Sequence, residues 1–237
     1  MSTKDGYNQH ISQQFNAELD TVKTHMLEMG GRVEQQLNDA VSALISRNSG
    51  DAQKVRQQDD EINSMEMSID DECARILARR QPAASDLRLV LAISKGITDL
   101  ERIGDEAAKI ALQAIELSEE GESPSGGIEI RHIADRVSVM LRKSLDAFAR
   151  LDTEMAIEVA KEDKQVDKEY GTALRSLVTF MMEDPRSISR MLNEMWALRS
   201  LERVGDHARN IAEYVIYLVE GTDVRHIKSS EIEAQLQ

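Results

Sequence analysis

Apolar residues recur every three or four positions along most of the chain. Val33, Leu37, Ala40, Val41 and Leu44 repeat in this way, and so do Val137, Leu141, Leu145 and Phe148. That spacing lines one face of an α-helix. No window alternates β-branched and polar residues between turns, so no sheet is expected. Breaks in the pattern are few. RNSGD at 47–51 reads as a turn, with Asp51 the expected N-cap of the helix that follows. RQPAASD at 80–86 and EDPRS at 183–187 each set a proline where one helix ends and the next begins. LD at 151–152 is a weaker break, and EEGESPSGG at 119–127 reads as a linker. These signals predict six helices, over 10–47, 51–80, 83–119, 128–150, 152–183 and 185–220, then a polar tail over 221–237.

Amphipathic helices joined by short connections pack antiparallel. The expected fold is therefore all-α: two pseudo-symmetric antiparallel three-helix bundles, over 8–119 and 128–220, with a linker at 120–127. Two bundles are expected because the chain repeats itself. DLERIGDEAAKIA at 99–111 returns as SLERVGDHARNIA at 200–212. Val33 aligns with Val137 and Asp59 with Asp163, both at an offset of 104; Pro82 and Pro185 differ by 103, Glu101 and Glu202 by 101. The drift falls around the turn between the second and third helix of each half, where small changes of length are tolerated. Two copies of a motif suggest two copies of a site.

The repeated motif sets two acids four residues apart, Glu101 with Asp105 and Glu202 with Asp206. On a helix, such side chains lie on one face about 5–6 Å apart, and like charges so placed repel. Each pair therefore needs a cation or a basic group. Arg102 and Arg203 project about 100° away from the neighbouring Glu, so they are expected to compensate it poorly. Asp163 and Asp167 form a third pair, and their first-half counterparts are Asp59 and Asn63. Asp59 and Asp105 each lie 23 residues from Pro82, and Asn63 and Glu101 each lie 19. In the second half Asp163 and Asp167 precede Pro185 by 22 and 18, while Asp206 and Glu202 follow it by 21 and 17. Antiparallel helices folded about each proline turn bring these residues to one height.

Each bundle is thus expected to carry a quartet: Asp59, Asn63, Glu101 and Asp105 in one, Asp163, Asp167, Glu202 and Asp206 in the other. Oxygen donors without sulfur suit a hard cation, Mg, Ca, Mn or Fe, with Zn possible. The blander alternative is a solvated acidic face. Gly104 and Gly205 sit inside the acid pairs, where glycine costs a helix about 1 kcal/mol relative to alanine; they imply close approach by a helix or a ligand. Glu129 and His132 give a lone Glu-x-x-His, short of what a di-iron bundle needs. His207 follows Asp206 by one residue and is expected to point elsewhere; His10, His25 and His226 have no nameable partner in the sequence.

Composition narrows the partners. A net charge of −14 argues against a phosphate backbone and is compatible with cations and basic protein surfaces. It also simply favours solubility. Cys73 is the sole cysteine, so no intrachain disulfide forms; a buried, inert thiol in a reducing compartment is expected. The N-terminus has no apolar core resembling a signal peptide, and the longest apolar runs, such as LVLAI at 89–93, are too short to span a bilayer. A cytoplasmic protein is expected.

The QPAASDLR turn, LERIGDEAAKIA, LERVGDHARNIA and the closing NIAEYVIYLVEGTDVRHI together resemble the PhoU family of phosphate-signalling regulators, over about residues 8–227. The resemblance implies metal clusters at acidic motifs, falling on Glu101 and Asp105, Glu202 and Asp206, and Asp163 and Asp167. Asp59 fits as well, but Asn63 departs from the pattern and leaves one ligand neutral. It further implies no catalysis but negative regulation of phosphate uptake and of the phosphate-starvation two-component response. The implied partners are the ATPase subunit of the phosphate ABC transporter, the sensor histidine kinase and a second copy in a homodimer. The rival reading of the same acids is a carboxylate-cluster metalloenzyme that activates water. The lack of histidine beside the quartets weighs against it.

Overall fold

The computed structural model describes residues 3–120, 127–224 and 227, with side chains from residue 13 onward. Among them it contains α1 (Thr3–Ser46), α2 (Ser49–Arg80), α3 (Ala84–Ser118), α4 (Ile128–Arg150), α5 (Thr153–Glu183), a single 3-10 turn (Pro185–Ser187) and α6 (Ile188–Glu220), and no strand. Most of the expected linker and most of the tail lie outside the described residues, as do the side chain of His10 and all of His226.

Local chemistry sets the helix ends. Asn48, not Asp51, caps α2: its side chain accepts from the N–H groups of Gly50 and Asp51 at 3.1 and 3.2 Å. Asp51 sits inside the first turn, where its charge favours the positive end of the helix dipole. The expected cap is thus corrected by three residues, because Asn48 can hold an extended backbone outside the helix while Asp51 is already helical. Asp152 caps α5 by accepting from Met155 N–H at 3.0 Å. Pro185 opens a tight turn instead of α6 itself, so that helix starts three residues later than expected. Helix α1 starts at Thr3 rather than residue 10.

α1–α3 pack on one another, as do α4–α6, and α3 against α6 and α1 against α4 join the two bundles. One apolar core runs through both, and Met26, Leu37, Ile103, Met140 and Phe148 are fully enclosed in it. The α3/α6 junction is antiparallel. Arg88 near the start of α3 donates to the carbonyl of Leu218 near the end of α6 at 3.3 Å, while Arg203 pairs with Glu106 at 2.8 Å farther along. Between them Lys95 lies 5.8 Å from the ring centroids of both Tyr214 and Tyr217. On the other seam Arg142 pairs with Glu34 at 2.6 Å and Lys23 caps the α4 carbonyl of Ala149 at 2.8 Å. Cys73 is buried, and burial pushes its thiol up to about 12, so it is inert at neutral pH.

The two motif glycines are notches for packing. A Cβ at Gly104 would lie 3.1 Å from Gln36 Oε1 and 3.3 Å from Ile62, whereas one at Gly205 meets Val137 and Val166 at an ordinary 3.5 Å. Gly205→Ala should therefore stabilise the protein by up to about 1 kcal/mol, the helix-propensity difference. Gly104→Ala should give less than that or a loss, as its neighbours must shift. Thermal unfolding of the two variants side by side checks the contrast.

Candidate metal site

The register counted from the proline turns is the one in the fold. On α2 and α3, Ser94 Oγ donates to Asp70 at 3.1 Å and Thr98 Oγ1 to Glu66 at 3.3 Å. One and two turns farther from Pro82, the same register sets Asn63 beside Glu101 and Asp59 beside Asp105. Glu101 carries the imprint of that arrangement. Burial raises its carboxyl above the usual range, and the nearby Asp105, Glu66 and Asp59 add to the rise against the pull of Arg102. In the second bundle burial likewise raises Glu202 and Asp206, reinforced by Asp206 and Asp167 around the first and by Asp167 around the second. Asp163 is also raised by burial and feels Asp206 and Asp167, while Arg209 opposes the shift. Seven acids thus fall into two groups that share a field. Glu66 joins the first group from one turn away; its spacing on α2 was the signal, since it continues the Asp59–Asn63 face.

Arginine side chains balance part of this negative charge. Arg102 spans its own motif, 3.4 Å from Glu101 and 3.5 Å from Asp105. This overturns the expectation that Arg102 compensates poorly. Its Cβ does point away, but a long flexible side chain bends back over the pair. Arg203 behaves as expected and leaves its motif for Glu106. The second group instead uses Arg199, whose Nη1 lies 2.5 and 2.6 Å from the two oxygens of Glu202, and Arg209, which holds Asp163 at 3.0 Å. Among the described residues, no three His, Cys, Asp or Glu side chains converge closely enough to hold an ion. The donor chemistry fits a hard cation, but loading would require the carboxylates to exchange guanidinium partners for it.

Three polar contacts between helices are not marked in the sequence. Behind the first group, Gln36 on α1 donates to Asp59 at 3.3 Å from a buried position. At the α3/α6 seam, His207 donates to Asp99 at 2.7 Å and Asn210 to the same oxygen at 2.9 Å. His25 pairs with Glu72 at 2.9 Å. None of these could be read from periodicity within one helix, because each depends on which neighbour the helix meets. His132 of the Glu-x-x-His pair lines a surface groove between α4 and α5, with Arg136 and Lys161.

A family model, the PhoU domain, matches residues 26–114 and again 130–215. The phosphate-specific transport system accessory protein PhoU homolog of Pseudomonas aeruginosa is 65% identical over 237 residues, covering 100% of this chain and 98% of its own. The PhoU accessory protein of Escherichia coli K12 is 46% identical over 229 residues, covering 97% of this chain and 95% of its own. The crystal structure of PhoU from Pseudomonas aeruginosa superimposes with a TM-score of 0.86 at 67% identity, over 88% of this chain and 100% of that one. A phosphate transport regulatory protein PhoU from Streptococcus pneumoniae gives 0.82 at 31% identity, over 89% and 99%. Matched twice by the domain model and over 88–100% of its length by these relatives, the chain belongs to the PhoU family.

Proposed function

We propose that this protein is a cytoplasmic, metal-binding accessory regulator of phosphate-specific transport. It restrains phosphate uptake and the phosphate-starvation response by bridging the transporter ATPase and the sensor histidine kinase, and acts as a homodimer without catalysing a reaction. The observation that carries this is the end-to-end relationship, at 65% identity, with a protein named as an accessory of that transport system. No described helix is long and apolar enough to cross a membrane, which agrees with a partner that meets the transporter from one side.

The acid groups give the reading its chemistry. Asp59, Asn63, Glu101 and Asp105 would hold one cation, Asp163, Asp167, Glu202 and Asp206 the other. A Mg, Mn, Fe or Zn ion there supplies positive charge that relieves the mutual repulsion of buried carboxylates. The arginines it displaces are then free to turn to a partner's acids. Asn63 gives the first group one charge fewer, so the two groups should load unequally.

Co-purification with the ATPase and with the kinase tests this directly. Wild type should retain both partners, and Glu101→Ala/Asp105→Ala should recover less of each. Equal recovery from a folded variant would remove the first acid group from the signalling surface.

A further inference from the structure

The two acid groups occupy equivalent places in the repeat, yet different residues hold them from behind. In the first bundle Gln36 on α1, only 1% exposed, donates to Asp59 at 3.3 Å. The repeat offset of 104 puts Met140 at the equivalent place in the second bundle. The packing agrees. A Cβ on Gly104 would meet Gln36, Ile62 and Asp59, and one on Gly205 would meet Met140, Val166 and Val137. Methionine cannot donate, and Asp163 is held instead by Arg209 of α6 at 3.0 Å. Ala108 stands where the first bundle would need a counterpart of Arg209. The same acid is therefore held by a neutral amide in one copy and by a guanidinium in the other.

The orientation of the amide follows from its partner. A carboxylate accepts, so Nε2 faces Asp59 and Oε1 is left inside the fold. That oxygen is buried and has no hydrogen-bond partner among the described residues. Leaving a buried carbonyl unpaired is unfavourable, and core filling does not require it, since methionine fills the equivalent space in the second copy. What the amide provides is a donor that fixes Asp59. Hydrogen bonds of this kind orient the carboxylates that ligate metals, and a neutral donor brings no positive charge to compete with a cation.

We propose that Gln36 is a positioning residue of the first acid group, and that through it this group takes a divalent cation more tightly than the second despite having one carboxylate fewer. The inference rests on the reading of the acids as cation sites. Charge does not oppose it. The second quartet sets four carboxylates against Arg199 and Arg209, the first sets three against Arg102, so both keep the same excess of negative charge. What differs is how easily the resident arginine leaves. Arg102 is half-exposed and lies 3.4 and 3.5 Å from its acids, so water readily replaces it. Arg209 is largely covered and bonds two almost enclosed acids, Asp163 and Glu213, which its departure would strand. A cation entering the second group meets that fixed positive charge; one entering the first meets Asp59 already aimed by Gln36.

Calorimetric titration of Mn2+ into full-length, chelator-treated protein tests this with one group disabled at a time. Glu202→Gln/Asp206→Asn leaves the first group intact, and Glu101→Gln/Asp105→Asn the second. The first group should show the lower dissociation constant. Adding Gln36→Met should raise that constant about 10- to 100-fold, the range for removing a hydrogen-bond partner of a metal ligand. The same change should leave the constant of the second group where it was. Without metal, the Gln36→Met protein should melt no lower than its parent, because methionine matches the volume and the unpaired oxygen is gone. Three results overturn the inference while the cation reading stands: tighter binding by the second group, a first-group constant that ignores Gln36→Met, or weaker binding accompanied by a lower melting temperature, which would make the amide a purely structural contact. Absence of Mn2+ binding by either group would remove the cation reading and this inference with it.

Discussion

Arg209→Ala should destabilise the protein by about 3–5 kcal/mol at neutral pH, the range for removing one partner from a buried charge cluster. Arg209 donates to Asp163 at 3.0 Å and to Glu213 at 2.8 Å, and both carboxylates are almost wholly enclosed. Without the guanidinium, two negative groups remain in a medium that solvates neither. Burial already raises both carboxyls, and Arg209 is what opposes the rise. Its removal raises them further. The folded variant then binds protons that the unfolded chain releases, so the deficit shrinks as pH falls toward the carboxylate range. Urea unfolding at pH 7.5 and pH 5 checks both the size and the pH trend. A loss under about 1 kcal/mol, the scale of an exposed pair, would show that water reaches the cluster. The same change strips a positive charge from the second acid group, so the variant should also hold a divalent cation more tightly than wild type.

A cation held at the proposed acid groups should itself stabilise the fold. A ligand that binds only the folded state adds about 2.7 kcal/mol when its concentration is a hundred times its dissociation constant. Mn2+ added to chelator-treated protein should therefore raise the melting temperature, and it should also change the pH dependence. Without metal, Glu101, Asp163, Glu202 and Asp206 all have folded-state values above their ordinary 4.5 or 3.8, chiefly through burial. For acids raised in this way, stability is greater at low pH and falls as pH climbs through the window between the ordinary and the raised values. A bound cation favours the carboxylate form and opposes that fall. Melting curves from pH 4.5 to 8, with Mn2+ and with chelator, should diverge as pH rises. Parallel curves would mean that the acids and the added cation do not interact.

Much of this molecule could be read from its letters, for identifiable reasons. The boundaries of α4 matched because Gly127 and the LD break frame an amphipathic stretch. The start of α2 shifted by two residues because Asn48 outcompetes Asp51 for the cap, and α3 starts one residue later than expected because Ala83 keeps an extended backbone. The register of the acid pairs was legible because a proline turn fixes where two antiparallel helices start counting, and Ser94–Asp70 and Thr98–Glu66 show that same count in the fold. What the sequence hid was partner choice across space. Arg102 and Arg203 occupy equivalent places in a repeat, yet one folds back on its own motif and the other crosses to Glu106. The difference lies across the seam, where α3 offers Arg203 a buried glutamate and α6 places His207 at the equivalent position. Gln36 behind Asp59 was hidden for the same reason, since its role follows from α1 packing over α2 and not from anything in α1 alone.

We propose that the mirrored carboxylates form two cation sites. Equilibrium dialysis of chelator-treated protein against Mn2+, with bound metal counted by mass spectrometry, tests it most directly. Wild type should retain metal; Glu101→Gln/Asp105→Asn should lose the first group's share and Glu202→Gln/Asp206→Asn the second's, leaving unequal remainders. Metal retained equally by wild type and both variants, or by none of them, would contradict the claim.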